Sequence, residues 1–565
     1  MSNVLSSLLM LASLITPSAF KQAHNFYTKP ADIGEGSQEL RLLNVEDYIY
    51  EMDPTEEGAK PNIVDQFVEY AKEKGYKNVK VSYETTDTPE SMRNLVKLSP
   101  QSYDLVCPSE YMIQRMITNN MLEPMHIDEE HMPNYLQYAC GIKNKLDAIS
   151  ATNATTGEVC YLKDYAVGYM WGTLGLLFDP KYGGRDMDTT VADAQSWDIL
   201  WNPDYKGISS IKDSVRDTYA IGLLHALNDD FEEDGQTVEG FETLMNKHHD
   251  GTYSDDVYNA KFNDLFNKCD DATLNVVKKD LSKLKGNVFG MEVDSGKQDI
   301  VTGKIGINFA WSGDAVYSME QAEEEKELEL YYSIPDTGSN LWMDAWVMPK
   351  NPDRSQAQRE LAELFVDFLS IPEYTSQNMS YTGYTPFTGG NEILDLAREW
   401  YDYRYDEETE EFDDTVPTNE EIAELGLQRV DLSYFFKGTL TDEYADDENA
   451  YIFYSDCYLP YAETDEEGNV IDGEESNRAV GREFFCQFPD SYTLSRCAVM
   501  RDFGSQNDAV LGMWEKFKSD ALPVWAIILF VVEVSLGLAL LLYFVIGKRV
   551  RTSLHKKRKQ ALNKK

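Results

Sequence analysis

The chain has 565 residues, 42% of them hydrophobic and 26% charged, and a net charge of −47. That length buries a large core and accommodates two or more domains. The charge argues against nucleic acid or an anionic surface as partner and suits a cationic one, although a solvated acidic surface accounts for most of it.

Residues 1–20 are apolar with a small residue at Ala19, which reads as a signal peptide or an uncleaved N-terminal anchor without the usual basic start. Residues 21–38 form a polar, Gly-containing linker. From Leu40 to about Leu162, short apolar runs alternate with amphipathic stretches. RLLNV predicts a strand. NIVDQFVEYAKEKGY places Ile63, Phe67, Val68 and Tyr70 on one face before Gly75, the pattern of a helix. KVSYET predicts a strand, SMRNLVKL a helix and YDLVCPS a strand. This β-α-β-α-β order implies a mostly parallel sheet.

Further along, RELAELFVDFLS predicts a helix. Residues 392–485 are rich in Asp, Glu and Tyr; YDYRYDEETEEFDDTVPTNEE and AETDEEGNVIDGEE read as solvated loops or turns. PVWAIILFVVEVSLGLALLLYFVIG (523–547) is long enough to span a bilayer as a C-terminal transmembrane helix. The tail 548–565 holds nine Lys/Arg and no Asp/Glu, which places it in the cytoplasm and the preceding residues outside the cell membrane. Seven cysteines lack any CxxC pair, so a zinc site is not expected. One or two disulfides among Cys457, Cys486 and Cys497 fit an extracellular setting, with no pairing assigned.

Three segments carry the functional signal: YDLVCPSEY (Tyr103 to Tyr111), INFAWSGDAVY (Ile307 to Tyr317) and LWMDAWVMP (Leu341 to Pro349). Each is an apolar run ending in small, polar and aromatic residues, as a buried strand entering a loop does. Ligands of open α/β sheets bind outside the carboxyl ends of such strands. Ser109, Tyr111, Trp311, Trp342 and Asp344 are therefore expected to face one cleft. Two indoles and a carboxylate suit an organic cation through cation–π contact and charge-assisted hydrogen bonding. Signals for catalysis are poor. GKIGIN lacks the phosphate-loop spacing, HExxH does not occur, and His248-His249-Asp250 reads as a solvated loop. No catalytic residue, cofactor or metal is assigned.

These segments resemble the spermidine/putrescine-binding proteins, the extracellular solute receptors of polyamine ABC transporters. The likeness starts at RLLNVEDYI and runs through IVDQFVEYAKEKG, YDLVCPS, SWDILWNPDYKG, AWSGDA, LWMDAWVMP and GYTPF. The resemblance implies a two-lobe α/β periplasmic-binding-protein fold (type II-like) joined by hinge strands. Lobe one would comprise 38–163 and 343–391, lobe two 172–331 and 486–520, with 392–485 an acidic insertion and EMDPTEEGAKPN a shorter one. The chain would cross between lobes at DYAVGYMWGTLGLLFDP and return near Tyr332 to Trp342.

The resemblance also implies ligand contacts. Trp342 and Asp344 match an aromatic wall and an ammonium-binding carboxylate, and Trp311 a second wall. Tyr48, Ser109, Tyr111 and Tyr384 match further cleft residues, and DSVRDTY (Asp213 to Tyr219) the acidic loop of lobe two. Two departures bear on the ligand. Val45 stands where the family often has Trp, and Ser214 stands at one acidic position while Asp217 holds the other. Asp213 or Glu46 could compensate. Asp217 reads equally as a helix N-terminal acid, and Ser109 as a helix cap. The implied function is a membrane-anchored extracellular receptor that binds polyamine between two lobes and delivers it to an ABC permease and, through it, the ATPase. Glu533, inside the predicted span, is either a protonated or snorkelling carboxyl or a contact to that permease. An extracellular amine sensor or adhesion domain on the same fold is the alternative; an amine-metabolising enzyme is disfavoured.

Overall fold

The computed structural model describes residues 38–519 apart from 53–58, 234, 407, 446, 448 and 460–479. It divides into two units at Asn507/Asp508, and the second is described by the helix Asn507–Lys518. Among the described residues no helix is long and apolar enough to cross a membrane. The predicted signal (1–20), span (523–547) and basic tail (548–565) lie outside the described residues, as does AETDEEGNVIDGEE.

The first unit begins with the predicted β-α-β-α-β run. Strand β1 (Gln38–Asn44) buries Leu40, Leu42 and Leu43. It pairs in parallel with β2 (Val79–Thr85) and with the short β3 (Leu105–Val106). Helix α1 (Ile63–Glu73) buries Ile63, Phe67 and Ala71 on one face, then ends before Gly75, whose φ of 97° a side chain would strain. Helix α2 (Pro89–Leu98) starts at Thr88, whose hydroxyl accepts from the Ser91 N–H. Helix α3 (Glu110–Thr118) follows β3 directly.

The sheet is held together by two long strands. β4 (Ala166–Phe178) is buried at all 13 positions. β5 (Ser209–Lys212), β6 (Gly290–Glu292) and β7 (Ile307–Trp311) form one flank, with β7 antiparallel to the second half of β4. β8 (Tyr331–Ser333) pairs with the same half of β4. β9 (Ser339–Pro349) runs antiparallel to the first half of β4 and reaches β3 on the other flank. The strand order is therefore β6-β5-β7-β4-β9-β3-β1-β2. This is the two-lobe α/β arrangement expected. The return strand predicted over Tyr332 to Trp342 is two strands instead, because Pro335 and Gly338 form a turn closed by the Gly338 N–H on the Pro335 carbonyl.

Two further expectations are corrected. YDYRYDEETEEFDDTVPTNEE forms a short hairpin (Tyr405–Asp406 with Glu411–Phe412) and the start of helix Asn419–Leu425, which has a Thr418/Glu421 capping box. The surrounding segment is anchored by buried Phe435, Phe436 and Phe453, and Phe435 lies 6.3 Å from the Trp171 ring of β4. Acidic side chains point outward while phenylalanines between them join the core, which average composition conceals. All seven cysteines are free thiols, so Cys457, Cys486 and Cys497 form no disulfide. Cys486 lies in the buried helix Glu483–Gln487 and Cys497 on a strand beside Ser339, separate elements of the core.

Gly172 lets the two long strands carry the cleft's aromatic ring. A Cβ there would sit 2.5 Å from Cζ2 of Trp342 and 2.4 Å from Oγ of Ser312. Gly172→Ala is expected to cost about 1–3 kcal/mol through overpacking. Thermal unfolding checks this, and an unchanged Tm would contradict the close approach.

Candidate functional site

The site is organised around Asp344. Strand β9 changes register against β4 between Asp344 and Ala345, an irregularity of the kind that re-aims side chains beside functional sites. The half-buried carboxylate accepts a 2.8 Å hydrogen bond from Tyr48 at Oδ2, while Oδ1 is buried with no hydrogen-bond partner. Burial pushes its pKa up to about 6, hydrogen bonds from Ser109 and Tyr48 hold it down, and the nearby Asp217 charge raises it. Ser109 stands at the N-cap of α3, yet its side chain makes no cap bond, and its backbone forms an isolated antiparallel bridge with Asp344.

Aromatic rings enclose this carboxylate. Tyr48 meets Tyr384 edge to face at 5.2 Å, and Tyr384 meets Trp342 at 5.4 Å. Tyr384 packs on Gly313 of helix α4 (Ser312–Lys326), where any Cβ would fall 2.3 Å from the ring. Trp342 is buried and donates its indole N–H to the Thr173 carbonyl at 3.2 Å, so it serves core and cleft together. Trp311, half-buried at the carboxyl end of β7, presents a ring face to the Lys212 ammonium at 4.3 Å, and its indole helps hold the Asp217 pKa down.

Asp217 lies in the first turn of the helix Val215–Ala226, whose N-cap Ser214 accepts from the Asp217 N–H at 3.4 Å. Burial raises the Asp217 pKa, opposed by Ser214, Lys212, Arg216 and Trp311. Its charge bears on both Asp344 and Glu90, so the helix-start position and a place in the cleft coincide. Tyr111 is half-buried beneath the Arg216 guanidinium, 4.6 Å from its ring, and donates to Glu90 at 3.3 Å.

Ser214, at the altered acidic position, is a helix cap; of the two residues expected to compensate, Asp213 follows β5 with its N–H on the Glu292 carbonyl at 2.6 Å. Glu46 is exposed; it lines an open groove of about 200 Å³ with Asp47, Glu51, Tyr83 and Thr85, which shares Tyr48 with the cleft. Val45 is half-buried and caps nothing. The structure thus joins Asp344, Tyr48, Tyr384 and Trp342 directly, sets Ser109 in a β-bridge with Asp344, and reaches Trp311 from Tyr384 through Asp314 and Lys212. Tyr111 contacts Arg216, Asp217 follows Arg216 in sequence, and Glu46 is exposed in the groove that shares Tyr48.

Sequence reasoning missed Glu110, Glu90, Lys212 and Asp314. Glu110 is fully buried, accepts from the Met343 N–H at 2.9 Å, and has its pKa pushed up to about 8 by burial. Burial likewise raises Glu90. A lone acid after an N-cap gives no hint of such burial. Away from the cleft, His126, His131 and Glu363 bring potential ligand atoms within 4.8 Å of one another. Glu363 is already bonded there by the His126 backbone N–H at 3.0 Å and Arg359 at 3.3 Å. His248, expected in a solvated loop, ends helix Phe241–His249 and stacks on Tyr258 at 4.3 Å.

A family model for bacterial extracellular solute-binding proteins matches residues 64–391, more than half of the chain. The chain belongs to that family. It is 23% identical over 341 residues to the spermidine/putrescine-binding periplasmic protein of Escherichia coli, covering 59% of this chain and 76% of that one. It is 24% identical over 354 residues to the putrescine-binding periplasmic protein SpuD of Pseudomonas aeruginosa, covering 62% and 78%. Among solved structures, the TpPotD lipoprotein of Treponema pallidum superposes with a TM-score of 0.50 at 15% identity, covering 85% of this chain and 99% of that one. The fold is thereby shared, and the two relatives named are periplasmic binding proteins.

The Asp344 pKa has a consequence for stability. Its folded value lies above the ordinary 3.8, so the contribution it makes is present below about pH 3.8 and is lost as pH rises through about 6. Asp344→Asn is expected to be the more stable form of the unliganded protein at pH 7.5, by up to about 2 kcal/mol, and to match the wild type near pH 3.5. Thermal unfolding across this range checks it; a difference independent of pH would count against a buried, raised carboxyl.

Proposed function

We propose that this protein is an extracellular receptor for linear polyamines that passes its ligand to an ABC importer permease. The observation that carries the reading is Asp344: a carboxylate with a buried, unpartnered oxygen, inside a ring of Tyr48, Tyr384 and Trp342. An alkylammonium supplies what this site lacks, a donor carrying positive charge, and its methylenes suit the ring faces. A second carboxylate, Asp217 beside Trp311, offers the far ammonium a partner. The polyamine ligands named for the two bacterial relatives support the same chemistry.

In this reading the first lobe takes in 38–163 and 343–391, the second takes in 172–331, and β4 and β9 join them. Ligand bound to Asp344 on one side and Asp217 on the other favours the closed arrangement, because only there does it contact both. The apolar segment 523–547 keeps the receptor near its permease and raises its effective concentration there.

Calorimetric titration of the purified full-length chain with putrescine and spermidine tests the proposal. At least one of them binds, and Asp344→Ala weakens that binding by a hundredfold or more. Affinity also falls as pH drops below 6, since the carboxyl must ionise to receive the ammonium. A folded wild-type protein that gives no heat with any polyamine would sink the receptor reading.

A further inference from the structure

One cation in this cleft belongs to the chain itself. Lys212, at the end of β5, is fully buried. Its ammonium lies 3.1 Å from Asp314 Oδ2, 3.1 Å from Glu292 Oε1 and 3.1 Å from the Val293 carbonyl. Its Nζ also sits 4.3 Å from the centre of a Trp311 ring. An ammonium has three N–H donors, and here each has an oxygen within reach, with an indole face alongside. Burial opposes the Lys212 charge, but Asp314 and Glu292 carry its pKa above the ordinary value, so it stays protonated.

This cation is wired to Asp344. The other oxygen of Asp314 accepts from the Tyr384 hydroxyl at 2.7 Å, Tyr384 packs on Tyr48, and Tyr48 donates to Asp344. Lys297 also approaches Asp314, at 4.0 Å, while paired with Asp294 at 2.8 Å. Two carboxylates and an indole face are the groups a ligand ammonium would use, and Lys212 has taken them.

The remaining acids set the ligand's charge. Glu110 has its pKa raised to about 8 and is mostly neutral at pH 7. With Glu90 already accepting from Tyr111, Asp344 and Asp217 are the carboxylates left for the ligand, and a third ammonium would find Asp314, Glu292 and the Trp311 face already taken by Lys212. We propose that Lys212 is a specificity-determining residue whose side-chain ammonium occupies a cation subsite of the cleft, so that the protein selects a short diamine over a triamine. This inference rests on the receptor reading above.

The test compares putrescine with spermidine on the full-length protein by calorimetry. Wild type binds putrescine at least tenfold more tightly than spermidine. Lys212→Met, which frees the Asp314–Glu292–Trp311 subsite, shifts that ratio toward spermidine by tenfold or more. Because the single change leaves two buried carboxylates facing each other, Lys212→Met/Glu292→Gln serves as the second variant: it removes one charge of each sign and keeps Asp314 as acceptor. Circular dichroism shows which variant is folded, and the same shift is expected of it. Wild type that binds both amines equally, with the ratio unmoved in a folded variant, overturns the role of Lys212 while the receptor reading stands. Wild type that binds neither amine overturns both.

Discussion

The antiparallel pairing of Ala166–Phe178 with Ser339–Pro349 is the constraint on which the rest of the structure depends. One half of the first strand serves one flank of the sheet and the other half serves the second, so each flank's position is set by the same buried ribbon. Strand pairing fixes which side chains face which side with a period of two, and a one-residue slip would reverse them all. The register shift after Asp344 is therefore a local departure that the remaining ladder tolerates. It delivers a carboxylate to the cleft without disturbing Trp342 or Trp346 on either side.

Placing that carboxylate has an electrostatic cost. Asp344, Asp217, Glu90 and Glu110 all have pKa values raised by burial, so the unliganded cleft holds its negative charge reluctantly. Glu239 shows the opposite pattern: met by Lys247, Tyr253 and Lys261, it has its pKa drawn down to about 2. Burial alone does not mark the cleft, since it also raises the pKa of Glu320 and of the ion-paired Glu483; what sets Asp344 apart is its unpartnered oxygen beside aromatic rings. Raised pKa values beside aromatic rings fit the proposed binding site, whose acids come from distant segments of the chain.

Much of this was legible in the sequence, and the reason is local periodicity. The parallel β-α-β run from Leu40, the strands ending at Trp311 and the WMD motif each depend on neighbouring residues, so a window of ten to fifteen residues captures them. Trp311 was legible as the end of an apolar strand, and Trp342 and Asp344 through the family resemblance of the WMD motif, although both lie within β9 and not at its end. Lys212 with Glu292 and Asp314 was not, since its partners lie 80 and 102 positions further along the chain and only the strand order β6-β5-β7 unites them. Glu110 was hidden because an acid after an N-cap residue is ordinary on any exposed helix. The Phe-rich core of the acidic segment was missed for a third reason. Net composition over ninety residues averages a charged exterior with an aromatic interior, and only the fold sorts them.

The packing of that segment on Trp171 bears on how the molecule comes apart. Phe435, Phe436, Phe453, Phe484 and Phe488 belong to the same continuous hydrophobic cluster as Val106, Trp171 and Val347. Trp171 itself donates to the Pro386 carbonyl at 3.1 Å, tying the strand to the residues that lead into the segment. With no disulfide to staple any part separately, neither the segment nor the sheet can lose its packing without exposing apolar surface of the other. The described part of the acidic segment is thus no independent appendage: its shared packing predicts that it melts with the sheet as one cooperative unit, with a free energy of local opening close to that of global unfolding.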